Sequence, residues 1–347
     1  QVADALPEEI KGIKTIAAVD PDISLSEEAV ATCVWMKRQY LCRYIDAIKC
    51  FTPSGSSSKR GKIRTPYKEV SGEDTGFRTL MEEQKNAVTA ITPFVKNQKH
   101  KVFLIHGVTS SGKTEVYMQV IEACISAGKT AIMLVPEISL TPQTIHRFIG
   151  RFGSDQIAVL HSRLSLGERY DEWMRIRKGK VKIVIGARSA VFAPLSDIGV
   201  IVLDEEHETT YKSDMTPKYD TAEVAIRRAE KHHAVVLLGS ATPCVVSTYK
   251  AKTGDFQRIM LKERFNKTPL PSISIIDMRE ELKNGNKSIF SVSLYQEMKK
   301  NLEEKRQIIL FLNRRGYSTF ISCRACGFVM KCGECGISST YHKSRNE

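Results

Sequence analysis

Short apolar runs alternate along the chain with longer stretches whose apolar residues recur every three or four positions. From Lys101 onward six runs, VFLIHG, TAIMLVP, QIAVLH, VKIVIG, GVIVLDEE and AVVLLGSAT, are apolar on both faces. Such runs suit strands of a parallel sheet buried on both sides, with the amphipathic stretches between them as covering helices. Upstream, residues 26–49 place apolar residues at helical spacing behind Ser26, with Trp35, Tyr40 and Tyr44 interleaved among Lys37, Arg38 and Arg43. This predicts one helix or a helix pair. Residues 53–78 are rich in glycine, serine and charge and read as a linker. A second series starts with SISIID at 272–277, continues with a helix near 291–305 and resumes with QIILFLN at 307–313. No internal repeat is present.

Length and charge narrow the picture. With 347 residues, 42% of them hydrophobic, the chain has material for two or three packed domains. Its 52 Lys+Arg against 39 Asp+Glu give a net charge of +13, which points to a polyanionic partner, nucleic acid first. No run approaches the roughly 18 apolar residues that span a bilayer, and the start QVADALPEEI has no basic and apolar leader. A cytoplasmic protein without membrane contact is expected. The first residue, Gln1, and the ending YHKSRNE give the chain the look of a fragment.

Of nine cysteines, Cys33, Cys42, Cys50, Cys124 and Cys244 are scattered, as reduced and partly buried thiols would be. Cys323, Cys326, Cys332 and Cys335 form C-x2-C-x5-C-x2-C, a pattern that reads as metal rather than disulfide.

The stretch FLIHGVTSSGKTEVY carries G-x-x-x-x-G-K-T from Gly107 to Thr114, between a predicted strand and a predicted helix. That is the setting of a P-loop: Gly107, Val108, Thr109, Ser110, Ser111 and Gly112 turn backbone N–H groups toward a phosphate, and the helix beginning near Gly112 adds its positive end. Lys113 would reach the β- and γ-phosphates and Thr114 would put its hydroxyl on Mg²⁺. Downstream, VIVLDEEHE sets Asp204 and Glu205 at a strand end, where one can hold the Mg²⁺ shell and the other can orient and deprotonate a water. GSATP, 239–243, ends a further strand and alone is a weak signal.

In this order, GVTSSGKT, DEEH and SAT resemble motifs I, II and III of a superfamily 2 helicase of the DEAH type. LVPEISLTPQ, LHSRLSLGER, GARSAVFAP, DEEHETTYK, FLNRRGY and the cysteine cluster are similar to the PriA family of primosomal replication-restart helicases. The resemblance runs from about residue 20 to the end. It implies an α/β fold: a RecA-like P-loop motor lobe with a parallel sheet at 79–262, the start of a second RecA-like lobe at 263–322, and an incomplete Cys-rich zinc module at 323–347. Residues 1–52 would be the remnant of an N-terminal DNA-binding domain. The activity implied is ATP-dependent 3′ to 5′ unwinding of forked and single-stranded DNA by a monomer, with single-stranded DNA-binding protein and primosome proteins as partners.

Carried onto this chain, the resemblance implies adenine contact at Glu83 and Gln84, which otherwise read as a solvated helix face. It implies that His207 bridges the nucleotide site to GSAT, where an isolated histidine is otherwise a surface or core residue. In ETTYKSDMTPKYD it implies coupling of DNA to hydrolysis, with Tyr211 and Tyr219 as stacking faces and Lys212 and Lys218 as phosphate contacts. Without it, that segment is ordinary surface loop.

Zinc has two readings. Knuckles that complete one site usually lie roughly 15–20 residues apart, and here five residues, GFVMK, intervene. That suits two half-sites completed from further along, giving two Zn²⁺ in an intact protein; the alternative is one strained site using all four cysteines. The remaining rivals are another superfamily 2 DNA translocase and a non-catalytic DNA-binding scaffold.

Overall fold

All six apolar runs become strands, and the stretches between them become helices. The structure is a computed structural model that describes residues 23–53, 79–136, 142–269, 271–311, 328–334 and 336. In chain order the elements are α1 (Glu27–Gln39), α2 (Tyr44–Phe51), α3 (Glu82–Lys96), β1 (Lys101–Gly107), α4 (Lys113–Ser126), β2 (Thr130–Leu134) and α5 (Pro142–Phe152). They continue with β3 (Ile157–Leu160), α6 (Leu166–Arg177), β4 (Ile183–Gly186), β5 (Ile198–Leu203), α7 (Thr221–His232), β6 (Val235–Ser240), α8 (Val245–Thr253) and β7 (Gln257–Leu261). The strands form one seven-stranded sheet in the order β3-β4-β2-β5-β6-β1-β7. Every ladder is parallel.

Alternation along each strand feeds two cores. Val102 and Leu104 of β1, with Val236 and Leu238 of β6, join the core that α1, α2 and α7 cover. Phe103 and Ile105, with Val235 and Leu237, join the core that α3, α4 and α5 cover. Burial on both faces is why these runs carry no polar alternation. β7 was not anticipated: QRIML is an edge strand in which Gln257, Arg258 and Met260 are exposed, so its sequence lacks the continuous apolar signature of the others.

The expected helical region before the sheet is a pair. Ser26 caps α1 by accepting from the Ala29 N–H at 3.2 Å, and the chain breaks at Leu41, whose φ of 50° no helix continues through. Both helices pack into the sheet's core: the Phe51 and Phe192 rings meet edge to face at 5.0 Å, and the Trp173 indole N–H donates to the Phe51 carbonyl at 3.1 Å.

The lock on this face is a buried ion pair. Arg228 of α7, 1% exposed, donates from Nε and Nη2 to the two Glu28 oxygens at 3.0 and 3.1 Å. Its Nη1 donates to the carbonyls of Val191 and Ala193. Burial pushes the Glu28 carboxyl up, but His232 and Arg228 outweigh it and hold the group down at about 2.

The compact unit containing the sheet ends at Pro269, and a second unit follows. There, α9 (Met278–Lys283) and α10 (Val292–Glu303) form, α10 capped by Ser291, which accepts from the Leu294 N–H at 3.1 Å. The expected strands do not: residues 272–277 and 307–311 carry no strand, and 312–313 lie outside the described residues. Ile273 and Ile275 are exposed. An apolar run needs a neighbouring ladder to become a strand, and among the described residues of this unit no named strand offers one. Residues 54–78 of the expected linker also fall outside the description. Among the described residues no helix is long and apolar enough to cross a membrane.

Glu28→Ala leaves Arg228 a buried cation without its carboxylate, a change expected to cost about 3–5 kcal/mol of unfolding free energy at neutral pH. The native carboxyl titrates below its unfolded value, so its contribution is complete above the ordinary carboxyl value of 4.5 and disappears as pH falls through about 2. Urea titrations of wild type and variant should therefore converge across that window. A gap that is small at neutral pH, or that does not narrow in acid, would show that the pair does not hold α1 to α7.

Candidate functional site

Parallel strands present their C-terminal ends on one edge, and here the strands before the glycine turn, the acidic run and GSATP are β1, β5 and β6, with β6 between the other two. The turn after β1 curls tightly. Val108 N–H donates to Leu261 O at 3.1 Å and Ser111 N–H to Val108 O at 3.0 Å, while Ser110 and Gly112 take φ of 65° and 79°. Gly112 is required twice over: its backbone is left-handed, and a Cβ there would lie 2.1 Å from Gln84 Nε2. Gln84 is buried, not solvated. Its Nε2 donates to Ser111 O at 2.9 Å and its Oε1 accepts from Met81 N–H at 2.9 Å, so it braces the turn from α3.

Lys113 opens α4 nearly buried, its Nζ donating to Gly107 O at 3.0 Å and standing 3.9 Å from Glu205 Oε1. Ser111 Oγ is buried without a hydrogen-bond partner. A left-handed turn, an ammonium folded onto a carbonyl and an orphaned hydroxyl together fit a phosphate-bearing ligand. Thr109 to Thr114, Gln84, Asp204 and Glu205 line one cavity of about 360 Å³. Gly107 and Val108 are not among the lining residues and shape the turn from behind. Glu83 corrects the expected adenine contact. Its Oε2 accepts from the N–H groups of Lys262 and Glu263 at 2.7 and 3.2 Å, fastening the segment after β7 to α3, and it does not line the cavity.

Asp204 is mostly out of water. Its Oδ1 accepts from Tyr117 OH at 3.1 Å and its carbonyl from Tyr211 OH at 2.7 Å. Burial, and then the neighbouring Glu205 charge, push its carboxyl up to about 6. Gly239 leaves the room this needs, because a Cβ there would sit 1.6 Å from the Tyr117 hydroxyl. Glu205 takes a left-handed φ of 48°. Glu206 serves the fold: it accepts from the Cys244 N–H at 2.8 Å and from Ser247 Oγ at 3.0 Å, holding the start of α8. His207 Nδ1 lies 2.7 Å from Ser240 Oγ and 3.6 Å from Glu205 Oε2. The acidic run and GSATP are thus joined through a histidine.

In the segment after it, Lys212 and Lys218 are exposed, but Tyr211 and Tyr219 are buried. The expected stacking faces are corrected: Tyr219 packs edge to face on Phe192 at 4.9 Å, and Tyr211 spends its hydroxyl on Asp204. Alternating tyrosines and lysines in a polar loop gave no sign of which side faces in.

Thr79, Arg147 and Phe265 also line the nucleotide-sized cavity and were not anticipated. Phe265 reaches it because its N–H donates to Ser110 O at 2.9 Å; in the sequence it is one aromatic residue in a polar stretch. Among the described residues no group of His, Cys, Asp or Glu is arranged to hold a metal ion. Cys332 is exposed, and Cys323, Cys326 and Cys335 lie outside the described residues.

A family model described as DEAD/DEAH box helicase matches residues 81–249. Over 81% of its length the chain is 51% identical to "Replication restart protein PriA" of Bacillus subtilis, of which it covers 35%. The protein of the same name from Synechocystis is 40% identical over 97% of the chain, which covers 42% of it. That from Treponema pallidum is 38% identical over 94%, with 48% covered. The chain therefore spans less than half the length of these three relatives. With the P-loop, the acidic run and the GSATP turn gathered at one sheet edge, the chain belongs to the replication restart protein PriA family and carries its DEAD/DEAH box helicase domain.

Proposed function

We propose that this chain contributes the nucleotide-binding lobe of an ATP-hydrolysing DNA motor. One observation carries the reading: a single cavity gathers the P-loop, the Lys113 ammonium and the Asp204 and Glu205 carboxylates. Bound MgATP supplies the anhydride to be cleaved and a divalent charge. The Gly107 to Thr114 turn offers N–H donors, and Lys113, whose Nζ rests on the Gly107 carbonyl, would turn to the phosphates. Thr114 and Asp204 would hold the cation. Glu205, less enclosed than Asp204, orients the attacking water and accepts its proton. His207 ties Glu205 to Ser240, so that movement of the GSATP turn reaches the water-activating group.

Family membership and the basic balance of the chain support DNA as the partner. We extend the proposal to 3′ to 5′ unwinding, recognition of stalled forks and recruitment of single-stranded DNA-binding protein and primosome components by the whole protein. The division into a remnant at 1–52, a first lobe at 79–262, a second lobe from 263 and a zinc module from 323 belongs to the same proposal. So does Zn²⁺ on Cys323, Cys326, Cys332 and Cys335, through two C-x2-C knuckles.

Lys113→Ala should weaken MgATP binding at least tenfold, and Glu205→Gln should keep binding while slowing turnover by about 10²-fold or more, the usual contribution of a positioned base. Fluorescent-nucleotide titration and phosphate release measure the two. Near-normal turnover in either variant would overturn the assignment.

Affinity for single-stranded DNA should fall steeply with salt, because each neutralised phosphate releases counterion. Anisotropy titrations across a salt series check this; a flat dependence would argue against a DNA partner and favour neither motor nor scaffold.

A further inference from the structure

The wall of the nucleotide cavity is polar except at one place. Among the described residues that line it, Phe265 is the one aromatic side chain, and it stands 51% exposed. A ring left in water on a polar wall is a face on which a flat π system can stack. The backbone that carries this ring is pinned. Just before it, Glu83 Oε2 accepts from the N–H groups of Lys262 and Glu263 at 2.7 and 3.2 Å. At the residue itself, the Phe265 N–H donates to Ser110 O at 2.9 Å. Just after it, the Lys267 N–H returns to Arg264 O at 2.9 Å and closes a turn. One anchor is α3 and the other is the P-loop.

The two ends of the cavity differ in chemistry. Lys113 stands 3.9 Å from Glu205, and with Asp204 these groups make the end for the terminal phosphate, the cation and the attacking water. Gln84 and Phe265 instead hold successive carbonyls of the turn, Ser111 and Ser110, and so lie together on its flank. A nucleotide whose γ-phosphate faces Glu205 sends its sugar and base to the opposite end. Gln84 has one amide N–H and one oxygen lone pair beyond the two bonds it already makes, so it can meet the edge of a base but offers no face.

Resting on the ATP-site reading above, we propose that Phe265 supplies that face by stacking on the nucleobase of bound ATP, with Glu83 as the positioning residue that holds it in place. The base is therefore gripped by a segment that follows β7, far in sequence from the P-loop. Every base has a π face, so the contact distinguishes a nucleotide from bare triphosphate and tolerates a change of base.

Isothermal titration calorimetry of the full chain with MgATP, MgGTP and magnesium tripolyphosphate tests this, since tripolyphosphate keeps the anionic contacts and has no base. Phe265→Ala should weaken MgATP and MgGTP by about tenfold, the size of one lost stack, and leave tripolyphosphate within about twofold of wild type. Phe265→Tyr keeps the ring and should bind MgATP within about twofold of wild type. Glu83→Ala should weaken MgATP and spare tripolyphosphate, and Glu83→Gln, which retains an accepting oxygen, should restore the affinity. Equal losses of MgATP and tripolyphosphate in Phe265→Ala would mark a residue that merely props the P-loop and would overturn the proposal. Glu83→Ala with wild-type MgATP affinity would overturn the positioning role. Wild type that binds neither MgATP nor tripolyphosphate would overturn the ATP-site reading and the stack together; wild type that binds both, with Phe265→Ala losing neither, would overturn the stack alone.

Discussion

The site is arranged around one acid, Asp204, that sits largely out of water. Asp204 follows a strand, β5, buried along its whole length, and desolvation with the adjacent Glu205 charge drives its carboxyl up to about 6. The direction of that shift follows from burial, which disfavours the ionised form, so the fold holds this carboxyl at a cost. Tyr117 moderates that cost with one hydrogen bond to Oδ1. That bond fixes the neighbourhood in turn, since the hydroxyl fills the space a side chain at Gly239 would need. A single buried carboxylate thus specifies a tyrosine on α4 and a glycine on β6.

Most of the sheet was legible because two-sided burial writes itself as uninterrupted apolar residues. The P-loop was legible for a different reason: left-handed backbone and close approach leave glycine as the workable residue at Gly112, and the flanking strand and helix supply context. What escaped was decided by packing that local sequence does not encode. β7 pairs through its backbone with β1 while Gln257, Arg258 and Met260 face water, so it has strand geometry with little of the apolar composition of the other strands. Glu83 and Gln84 are adjacent on α3, yet one fastens the chain after β7 and the other braces the P-loop, a divergence set by helical rotation of about 100° per residue. SISIID and the described residues 307–311 carry β-forming residues, but among the described residues no ladder pairs with them, and propensity alone does not make a strand.

The aromatic segment after the acidic run shows the same limit at the site itself. Tyr211 and Tyr219 look like platforms for bases, and a resemblance assigns them that use. Their burial follows from what lies beneath: Phe192 receives one ring, and the Asp204 carbonyl needs a donor that the other supplies. The lysines between them remain exposed, so the segment divides its labour, with charge outward and rings inward.

That division makes β5 the strand that serves two cavities. Nucleotide-lining residues come from the turn after β1 and from Asp204 and Glu205 directly after β5. The second cavity takes residues from beyond β2, β3 and β4, and then Thr210 and Tyr211 from further along the same β5 loop. In the strand order, β5 lies between β2 on one side and β6 with β1 on the other, so its loop starts between them. Six residues lie between Asp204 and Tyr211, and a 2.7 Å hydrogen bond closes the segment into a ring. A disturbance of the turn at 209–212 therefore has a short covalent path and a shorter hydrogen-bonded one to the buried acid. The topology thus places residues of both cavities on one loop.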